Sequence, residues 1–477
     1  MITEMFTLSL ISEVTLIQKD DKIILEAPIR TALKKATPTR QVIFEHPQSG
    51  LISALNHLKS SQKTHPQLKA LVVATDGKEA GEKFDAELQK LINTGWVCHS
   101  VFPLATAIPI VEKNYRFESP EIEQLKGKFT LSRFAYLHQN QGETIIECPL
   151  SQSKIVALDW RCAALLAKLS QPQTASSLSA DIPDITEEIA QKFLALLMAT
   201  QMLSPETEPT PLMYWEFHDL LYHSRSRMGR HNNPSGGTMR FFGKTEHLPI
   251  VKPPMSDKVI KLVQPNLEYL AQIDIPLTKA LELRQSIREY DEQPIRVQQL
   301  GKLLYCCARI KKIETMETEE FGTWHFSYRP YPCGGAIYEL EIYPVVNRCQ
   351  GLEAGVYHYQ PLEHCLYQIS DWNSDVEELI EDAYKSSGEE DQPQVLLVIT
   401  ARFGRLYWKY ESIAYALILK HVGVLYQTFY LMATGMHLAP CALGSGDSDN
   451  FAKITGLDYY EESSVGEFLL GSVRSRV

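Results

Sequence analysis

Alternating apolar and polar positions predict a β-hairpin at two places in the first third of the chain. One hairpin runs from Val14 to Glu26 across a Lys-Asp-Asp turn, and the other runs from Phe134 to Cys148 across a polar turn. Alternation over segments of this length is typical of half-buried strands. The tetrapeptide FTLS opens both segments, so the chain carries a weak internal repeat.

Apolar residues at helical spacing follow each hairpin. The predicted helices cover residues 51–58, 81–93, 156–169 and 186–202. Thr186 is a suitable N-cap for the last of them, because its hydroxyl accepts a hydrogen bond from a backbone amide of the first turn. A hairpin combined with a small set of helices is the arrangement of a winged-helix module. We therefore expect two winged-helix-like modules, at residues 1–125 and 126–208.

The rest of the chain predicts a linker and then one α+β domain. Proline-rich stretches flank an amphipathic helix and a Gly-rich loop, which together form a predicted helical linker over residues 209–270. Helical and strand patterns then alternate over residues 271–477. The predicted helices cover residues 277–284, 297–310, 375–384 and 409–434, and the predicted strands cover residues 336–346, 356–359, 395–400 and 465–470.

The charge balance argues against a general affinity for nucleic acids. The 477 residues include 47 basic and 58 acidic side chains, for a net charge of −11, whereas nucleic-acid binding needs a strong basic field. A local basic patch is present in the linker loop, at Arg225, Arg227, Arg230 and Arg240. This loop is either a solvated surface loop or a contact for an anion or a peptide.

The cysteines and histidines predict neither a disulfide framework nor a metal site. The nine cysteines include no CxxC pair, and the 14 histidines form no HExxH motif or Cys/His cluster. The N-terminus lacks the basic region of a signal peptide. No apolar run approaches the roughly 20 residues that span a bilayer. We therefore expect a cytoplasmic protein with no membrane partner.

Several short segments of the last domain carry residues suited to chemistry. Arg284, Ser286 and Arg288 stand at every second position where a predicted helix gives way to extended chain, so their side chains project to one side. Two guanidinium groups and a hydroxyl make a clamp for a phosphate or a ring carbonyl. The alternative is a set of exposed charges at a helix end.

Two glycine-containing segments follow. In the turn Pro332–Ala336 the paired glycines allow backbone amides to approach a flat ligand, unless this is an ordinary turn into a strand. Cys333 has no recognisable base nearby in the sequence, so we interpret it as a small residue in a tight turn. The segment at residues 443–447 lacks the GxGxxG dinucleotide fingerprint, and a plain loop is its alternative.

Lys409 and Tyr410 form a candidate catalytic pair at the start of the long predicted helix. The positive end of the helix dipole would favour neutral lysine and tyrosinate over their protonated forms. Either would then be a better base than in water. The alternative is an amphipathic pair on a solvated first turn.

In their order along the chain, these segments resemble those of the nitroreductase-like flavoprotein superfamily. Five phrases resemble, more narrowly, the SagB-type azoline dehydrogenases, and the whole architecture resembles a cyanobactin thiazoline oxidase. The phrases are FHDLLYHSRSRMGR, RPYPCGGAIYELEIYP, GVYHYQP, WKYESIAYALILKHVGVLYQ and SVGEFLLG. The resemblance implies an enzyme that oxidises thiazoline or oxazoline rings to thiazoles or oxazoles in ribosomally made peptides.

The resemblance also implies FMN as the cofactor, bound at the interface of a homodimer. Arg284 would hold the phosphate, Ser286 would contact the ribityl chain and Arg288 would reach the pyrimidine edge of the ring. The resemblance also implies that the isoalloxazine is lined, from the partner subunit, by Pro332, Cys333, Gly334, Gly335 and Ala336. The residues that would pack near the ring are Cys441, Ala442, Leu443, Gly444 and Ser445. Phosphate would also be bound by Arg474 and Arg476. Cys333 stands where relatives usually have serine, so a hydroxyl hydrogen bond would be lost.

Lys409 and Tyr410 match the catalytic pair of these dehydrogenases. In the implied reaction one of them removes the Cα proton of the azoline, a hydride leaves Cβ for flavin N5, and O2 reoxidises the flavin. The competing function on the same fold is an NAD(P)H-dependent nitro- or quinone reductase.

The two N-terminal modules resemble precursor-peptide recognition elements, whose strand edge pairs with a leader peptide. The azoline-containing precursor peptide is therefore the expected partner. DNA binding through Lys34, Lys35 and Arg40 is the runner-up for the first module, and a purely structural role in assembly is the third interpretation.

Overall fold

The computed structural model describes residues 5–29, 39–60, 62–318 and 322–474. It divides into two compact units, Met1–Ser235 and Gly236–Val477. Each unit has its own buried apolar clusters, so each is described separately.

The first unit contains a seven-stranded sheet, a smaller three-stranded sheet and eight helices within the described residues. Its strands are β1 (Thr7–Leu10), β2 (Thr15–Lys19), β3 (Lys22–Pro28), β4 (Thr39–Glu45), β5 (Lys63–Thr64), β6 (Val97–Val101), β7 (Ala105–Pro109), β8 (Tyr136–Asn140), β9 (Glu143–Glu147) and β10 (Ser153–Ala157). Its helices are α1 (Ser49–Ser60), α2 (His65–Asp76), α3 (Lys78–Asn93), α4 (Trp160–Lys168), α5 (Ala175–Ser179), α6 (Glu187–Ala199), α7 (Thr210–Met213) and α8 (Phe217–Arg225).

Both predicted hairpins are confirmed, as β2–β3 and β8–β9. Their tight turns place Asp20 at φ 50° and Gln141 at φ 52°, in the left-handed region that two-residue hairpin turns require. The seven-stranded sheet has the order β5-β1-β6-β7-β10-β9-β8, and β2-β3-β4 forms the smaller sheet. Because β7 pairs with β10, the large sheet runs across the predicted boundary between residues 125 and 126.

The helix predicted at residues 156–169 begins later than expected. Ile155 and Val156 pair with β7 and β9 as part of β10, which suits their β-branched side chains. The helix starts only after Asp159, whose carboxylate accepts the backbone N–H of Arg161 at 2.8 Å. The apolar periodicity of this segment thus spans a strand end and a helix.

The guanidinium of Arg40 makes contacts within the first unit. Its guanidinium donates to the carbonyls of Thr94, at 2.6 Å, and Gly95, at 3.1 Å, and lies 4.3 Å from the ring centroid of Trp96. Lys34 and Lys35 lie outside the described residues. The described part of the first module therefore offers no support for a DNA-reading role of Arg40.

The second unit is a seven-stranded antiparallel sheet with helices on both faces. The strands of the second unit, including a separate two-stranded hairpin, are β11 (Val259–Lys261), β12 (Lys312–Thr318), β13 (Gly322–Tyr328), β14 (Leu340–Val346), β15 (Gly355–Gln360), β16 (Cys365–Asp371), β17 (Val395–Arg402), β18 (Leu438–Ala442) and β19 (Glu462–Ser472). Its helices are α9 (Leu267–Ile273), α10 (Leu277–Leu283), α11 (Val297–Ala308), α12 (Ser374–Ser387), α13 (Phe403–Tyr407), α14 (Ala414–Gly435) and α15 (Ser448–Thr455). The sheet order is β11-β16-β15-β14-β17-β19-β18, and β12–β13 is a separate hairpin.

Strand β17 shows how the sheet builds two cores. Leu397 and Ile399 belong to the cluster that holds the apolar faces of α11 and α14, whereas Leu396 and Val398 belong to the cluster beneath α12 and α15. Successive side chains of a strand point to opposite faces, so an unbroken apolar run is what a strand buried on both sides requires.

Helix α14 is long and apolar enough to cross a membrane by length and composition, with 39% of its most apolar window buried within the structure. Its apolar side chains belong largely to the core cluster shared with α11 and the sheet. One face of α14 therefore packs in the core of the second unit.

Candidate functional site

The turn Pro332–Ala336 lies directly against Lys409 and Tyr410. A Cβ atom added to Gly335 would come within 2.8 Å of the Tyr410 hydroxyl and 2.9 Å of Lys409 Nζ. Gly335 also has φ 65°, a conformation that favours glycine. The structure thus brings together two of the segments singled out in the sequence, and the backbone conformation at Gly335 favours glycine where they meet.

Lys409 and Tyr410 do not begin the long helix, contrary to the prediction. They follow the short helix α13, and their backbone amides donate to the carbonyl of Leu406 at 3.2 and 2.9 Å, whereas α14 starts only at Ala414. The argument from the positive end of a helix dipole is therefore wrong for both residues.

Burial sets the protonation of the pair instead. Desolvation lowers the pKa of Lys409 below its usual 10.5, because an ammonium loses its hydration when buried. Burial, with smaller contributions from Cys333 and Glu339, raises the pKa of Tyr410 above 10. Neutral lysine is favoured as expected, but tyrosinate is disfavoured, which corrects the second half of the prediction.

The backbone of the turn is strained. Ala336 and Tyr338 have φ angles of 54° and 50°, in the left-handed region that costs a non-glycine residue about 1–3 kcal/mol. The strand expected to start at Ala336 starts only at Leu340, because residues 334–336 form a 3-10 turn. Such a conformation persists only where the surroundings over-determine it.

A cluster of three side chains, the half-buried Cys333 and the buried Glu339 and His421, surrounds this turn, and sequence reasoning missed Glu339 and His421. Glu339 is fully buried and His421 is 5% exposed. His421 Nδ1 lies 2.7 Å from Glu339 Oε1, and Cys333 Sγ lies 3.3 Å from Glu339 Oε2. The sequence gives no local signal for this cluster, because 88 positions separate Cys333 from His421. Burial and the neighbouring Glu339 raise the pKa of the Cys333 thiol, which agrees with its interpretation as an unreactive residue.

The segment Arg284–Arg288 meets a different part of the unit. The guanidinium of Arg284 lies 5.3 Å from the ring centroid of Tyr430, and Ser286 Oγ lies 2.8 Å from the Tyr430 hydroxyl. The same hydroxyl accepts the backbone N–H of Ala442 at 2.8 Å. Tyr430 thus joins the predicted clamp to the predicted segment at Cys441 and Ala442. We call Arg284, Ser286, Arg288, Tyr430 and Ala442 the clamp group.

The donors of the clamp group suit a phosphate ester. Within the described residues, neither Arg284 nor Arg288 is ion-paired with a carboxylate, so two cationic donors and the hydroxyl of Ser286 stand on one segment without a counter-charge. Guanidinium groups in this state bind phosphate well. The residues present therefore fit the phosphate end of a flavin mononucleotide.

The remaining predicted contacts have other partners in the structure. Arg474 is held by two carboxylates, Glu289 at 3.1 Å and Asp391 at 2.8 Å, and Arg476 lies outside the described residues. Leu443 donates its backbone N–H to the carbonyl of Glu467. The next residues point away from the clamp: Ser445 Oγ lies 3.1 Å from Ser386 Oγ on α12, and Gly444 has open space around it.

Two groups of candidate residues therefore form on one chain, and they are separate. The second group, which we call the turn group, comprises residues 333–336, Glu339, Lys409, Tyr410 and His421. Its His421 and the clamp group's Tyr430 are both on α14. Nine positions along a helix correspond to about 14 Å of rise and about two and a half turns, which leaves the two side chains about half a turn apart. The two groups accordingly lie on opposite sides of the central helix.

The predicted basic loop is largely neutralised within each unit. In the first unit Arg225 lies 2.9 Å from Glu147, and Arg230 donates to the carbonyl of Pro149. In the second unit Arg240 lies 3.6 Å from Glu411. Arg227 is exposed. These contacts favour a structural role for most of the loop over an anion-binding patch.

Comparison with known proteins gives three family matches along the chain. Residues 2–119 match the ThcOx helix-turn-helix domain, residues 129–232 match the cyanobactin oxidase ThcOx, and residues 281–472 match the nitroreductase family. The first two matches change over close to the predicted boundary between residues 125 and 126.

Curated relatives agree with the last match. The chain is 29% identical over 187 residues to "Putative nitroreductase MJ1384" of Methanocaldococcus jannaschii. The matched region covers 39% of this chain and 87% of the relative. It is 31% identical over 140 residues to the microcin B17-processing protein McbC of Escherichia coli, covering 27% of this chain and 49% of McbC. Among solved structures, the E. coli microcin synthetase McbBCD complex with truncated pro-MccB17 bound matches with 19% identity and a TM-score of 0.32, over 57% of this chain and 99% of that one.

Residues 281–472 form a nitroreductase-family domain, and the chain is an oxidoreductase of that fold. The two matches that precede this domain make residues 2–119 and 129–232 similar to the ThcOx helix-turn-helix domain and to the cyanobactin oxidase ThcOx. The predicted fold class, an α+β nitroreductase-like domain after winged-helix-like segments, is confirmed.

Proposed function

We propose that this protein is an FMN-dependent azoline oxidase that converts thiazoline or oxazoline rings in a ribosomally made peptide to thiazoles or oxazoles. The observation that carries the proposal is the contact of Lys409 and Tyr410 with the Gly335 turn, in a chain with cyanobactin oxidase and nitroreductase matches. The similarity to McbC, a microcin-processing protein, supports a peptide as the substrate.

The protonation states divide the work between the two residues. Lys409, whose pKa is lowered by burial, is the proton acceptor for the Cα–H of the azoline, which is acidic beside an imine and a carbonyl. Tyr410, whose pKa is raised, keeps its proton and donates a hydrogen bond to the bound ring. A base is most effective when its pKa approaches the working pH, and this favours Lys409 over Tyr410.

FMN is the proposed cofactor, and the clamp group is proposed to hold its phosphate through Arg284 and Arg288. When bound, FMN supplies the two-electron acceptor for the hydride that leaves Cβ, and O2 is the proposed final oxidant. The glycine pair at residues 334–335 offers backbone without side chains for the flat face of the ring.

We propose that the working form is a homodimer. The clamp group and the turn group lie on opposite sides of α14, so one bound FMN would contact the clamp of one copy and the turn of the other. The exposed apolar side chains Leu277 (65%), Leu281 (49%) and Leu283 (50%) on α10 support an interface next to the clamp, because groups of exposed apolar side chains often mark an interaction surface.

The first unit is proposed to bind the leader of the precursor peptide by β-addition, in a reducing cytoplasm. Strands β2 and β8 lie at sheet edges, where an extended peptide finds unpaired backbone groups. All nine cysteines are free thiols, as in a reducing compartment. Titrating labelled leader peptide and labelled duplex DNA against the full chain tests this, and saturable binding of DNA alone would contradict it.

The oxidase and the competing reductase are distinguished by what reduces the bound flavin. Under anaerobic conditions, we expect an azoline peptide to bleach the flavin absorbance in one turnover while NADH leaves it unchanged. The peptide should then lose two hydrogen atoms per ring, as measured by mass spectrometry. Rapid bleaching by NADH, with no change in the peptide mass, would instead support the nitro- or quinone reductase, which the similarity to the M. jannaschii protein keeps as the second candidate.

A further inference from the structure

The hydrogen bonds of the buried cluster around Cys333 can be assigned a direction. A backbone N–H is always a donor, and that of Gly334 points at His421 Nε2 over 2.8 Å. Nε2 must therefore be the bare nitrogen, which leaves the proton of the neutral ring on Nδ1. That proton is donated to Glu339 Oε1 at 2.7 Å.

The remaining hydrogen bonds of the cluster connect Glu339 back to the turn through Cys333. The Cys333 thiol donates to Glu339 Oε2 at 3.3 Å, and its sulfur accepts the backbone N–H of Tyr338 at 3.1 Å. The chain of contacts therefore begins at the backbone of Gly334 and ends at the backbone of Tyr338. It encloses the strained segment that presents Gly335 to Lys409 and Tyr410.

These directions exclude two simpler interpretations of the cluster. The ligand atoms of Cys333, Glu339 and His421 lie within 4.8 Å of one another, close enough to hold a metal ion. A metal at that point would need a bare Nδ1, but Nδ1 carries the proton as long as Nε2 accepts from Gly334. A nucleophilic thiolate is disfavoured as well, because the thiol proton is donated to Glu339.

We infer that His421 and Glu339 are a positioning pair that fixes the strained turn at residues 333–338 against Lys409 and Tyr410. His421 is carried by α14, so the pair ties the turn to the central helix. Glu339 holds the imidazole in the tautomer that accepts from Gly334. The inference concerns the site of the proposed function and rests on it for the consequence in turnover, but not for the geometry of the turn.

Two substitutions of similar size separate the two bonds of His421. In His421→Asn the side-chain amide still reaches Glu339 but leaves the N–H of Gly334 without an acceptor. In His421→Gln the amide oxygen reaches Gly334 and the bond to Glu339 is lost. We expect His421→Asn and His421→Phe to lower kcat about 10- to 100-fold with little change in KM, since small misplacements have costs of this size. His421→Gln should stay within about threefold of the wild type.

A readout independent of activity is amide hydrogen exchange of the peptide that contains residues 333–338, in the full-length protein. Exchange should accelerate in His421→Asn and His421→Phe and stay near the wild-type rate in His421→Gln. A matched control is His358→Gln, because His358 is also fully buried and contacts a buried Glu341 at 3.2 Å. That variant should leave both the exchange of the turn and the turnover unchanged.

Clear results would overturn the inference. Wild-type exchange and turnover in His421→Asn and His421→Phe would show that the pair does not position the turn. Stoichiometric zinc binding that is lost in Cys333→Ser would show a metal site instead. If no variant and no wild-type protein oxidises an azoline peptide, the proposed function fails, while the exchange measurement still decides whether His421 and Glu339 hold the turn.

Discussion

The clamp group and the turn group differ in how they are held together. Clamp residues are half-buried or exposed, and their positive charges have no carboxylate beside them within the described residues. The turn group is built around two buried side chains, Glu339 and His421, with a strained backbone and a closed set of hydrogen bonds. Open cationic donors suit the binding of a charged ligand, whereas a rigid buried frame suits chemistry. The comparison therefore predicts that damage to the two groups has different consequences.

The largest effect is expected at the turn group. Replacing Lys409 by Ala should lower kcat about 10²- to 10⁴-fold, the usual contribution of a general base, while the purified protein keeps its yellow flavin colour. Steady-state kinetics with an azoline peptide and the flavin absorbance give the two values. The control is Lys420→Ala, an exposed lysine on α14. Comparable turnover by Lys409→Ala and the control would remove Lys409 from the mechanism.

The opposite outcome is expected at the clamp group. Replacing Arg284 by Ala should weaken FMN binding about 10- to 100-fold, because hydrogen bonds to charged groups contribute roughly 1.5–3 kcal/mol. With FMN added to saturation, kcat should return close to the wild-type value. Fluorescence titration of the apoprotein with FMN measures the affinity, and Arg348→Ala, at an exposed arginine, is the control. If FMN binds Arg284→Ala as tightly as the wild type, the clamp assignment is wrong.

The pH dependence of the reaction separates the two residues of the turn group. Lys409 acts as a base only when neutral, so kcat/KM should rise about tenfold per pH unit up to its pKa, which lies below 10.5 because the side chain is buried. Tyr410 should keep its proton until above pH 10, so the rate should fall only beyond that point. Lys409→Ala should lose the rising limb, and a rising limb that survives in this variant would assign the base elsewhere.

The smallest effect is expected at the residue that joins the clamp to β18. Replacing Tyr430 by Phe removes the hydroxyl that contacts Ser286 and accepts from Ala442. Since one hydrogen bond contributes about 1 kcal/mol, FMN affinity should fall roughly fivefold with kcat unchanged. Tyr384→Phe, which removes an exposed hydroxyl on α12, is the comparison. A large drop in kcat would indicate that Tyr430 belongs with the chemistry.

The secondary-structure elements that could be predicted from the sequence were those marked by the spacing of apolar residues within one segment. The hairpins β2–β3 and β8–β9 and the buried strand β17 follow from alternation and unbroken apolar runs. The start of α14 was placed five residues too early, because Lys409 and Tyr410 continue a helical pattern that in fact belongs to two helices separated by a bend. The largely exposed strands β12 and β13 were missed, because their pairing partners are not marked by composition.

The residues of the candidate site were likewise predictable only where a local motif marks them. The clamp, the glycine turn and the Lys409–Tyr410 pair were each found as short motifs, but their grouping was not visible. Glu339, His421 and Tyr430 lack any motif, since their importance arises from contacts between segments far apart in the chain. Tertiary burial also decided the pKa directions of Lys409 and Tyr410, which no local helix argument could supply.

If a clamp from one copy and a turn from the other make each active site, two variants that are each impaired at limiting FMN should complement each other when they are mixed. Arg284→Ala and Lys409→Ala would be combined, dissociated and reassociated at limiting FMN, and azoline oxidation measured. Each mixed dimer then contains one site with both defects and one site with neither. Mixing should restore a substantial fraction of wild-type turnover, whereas a mixture that exchanges subunits but stays as impaired as its parents would contradict a site shared between two copies.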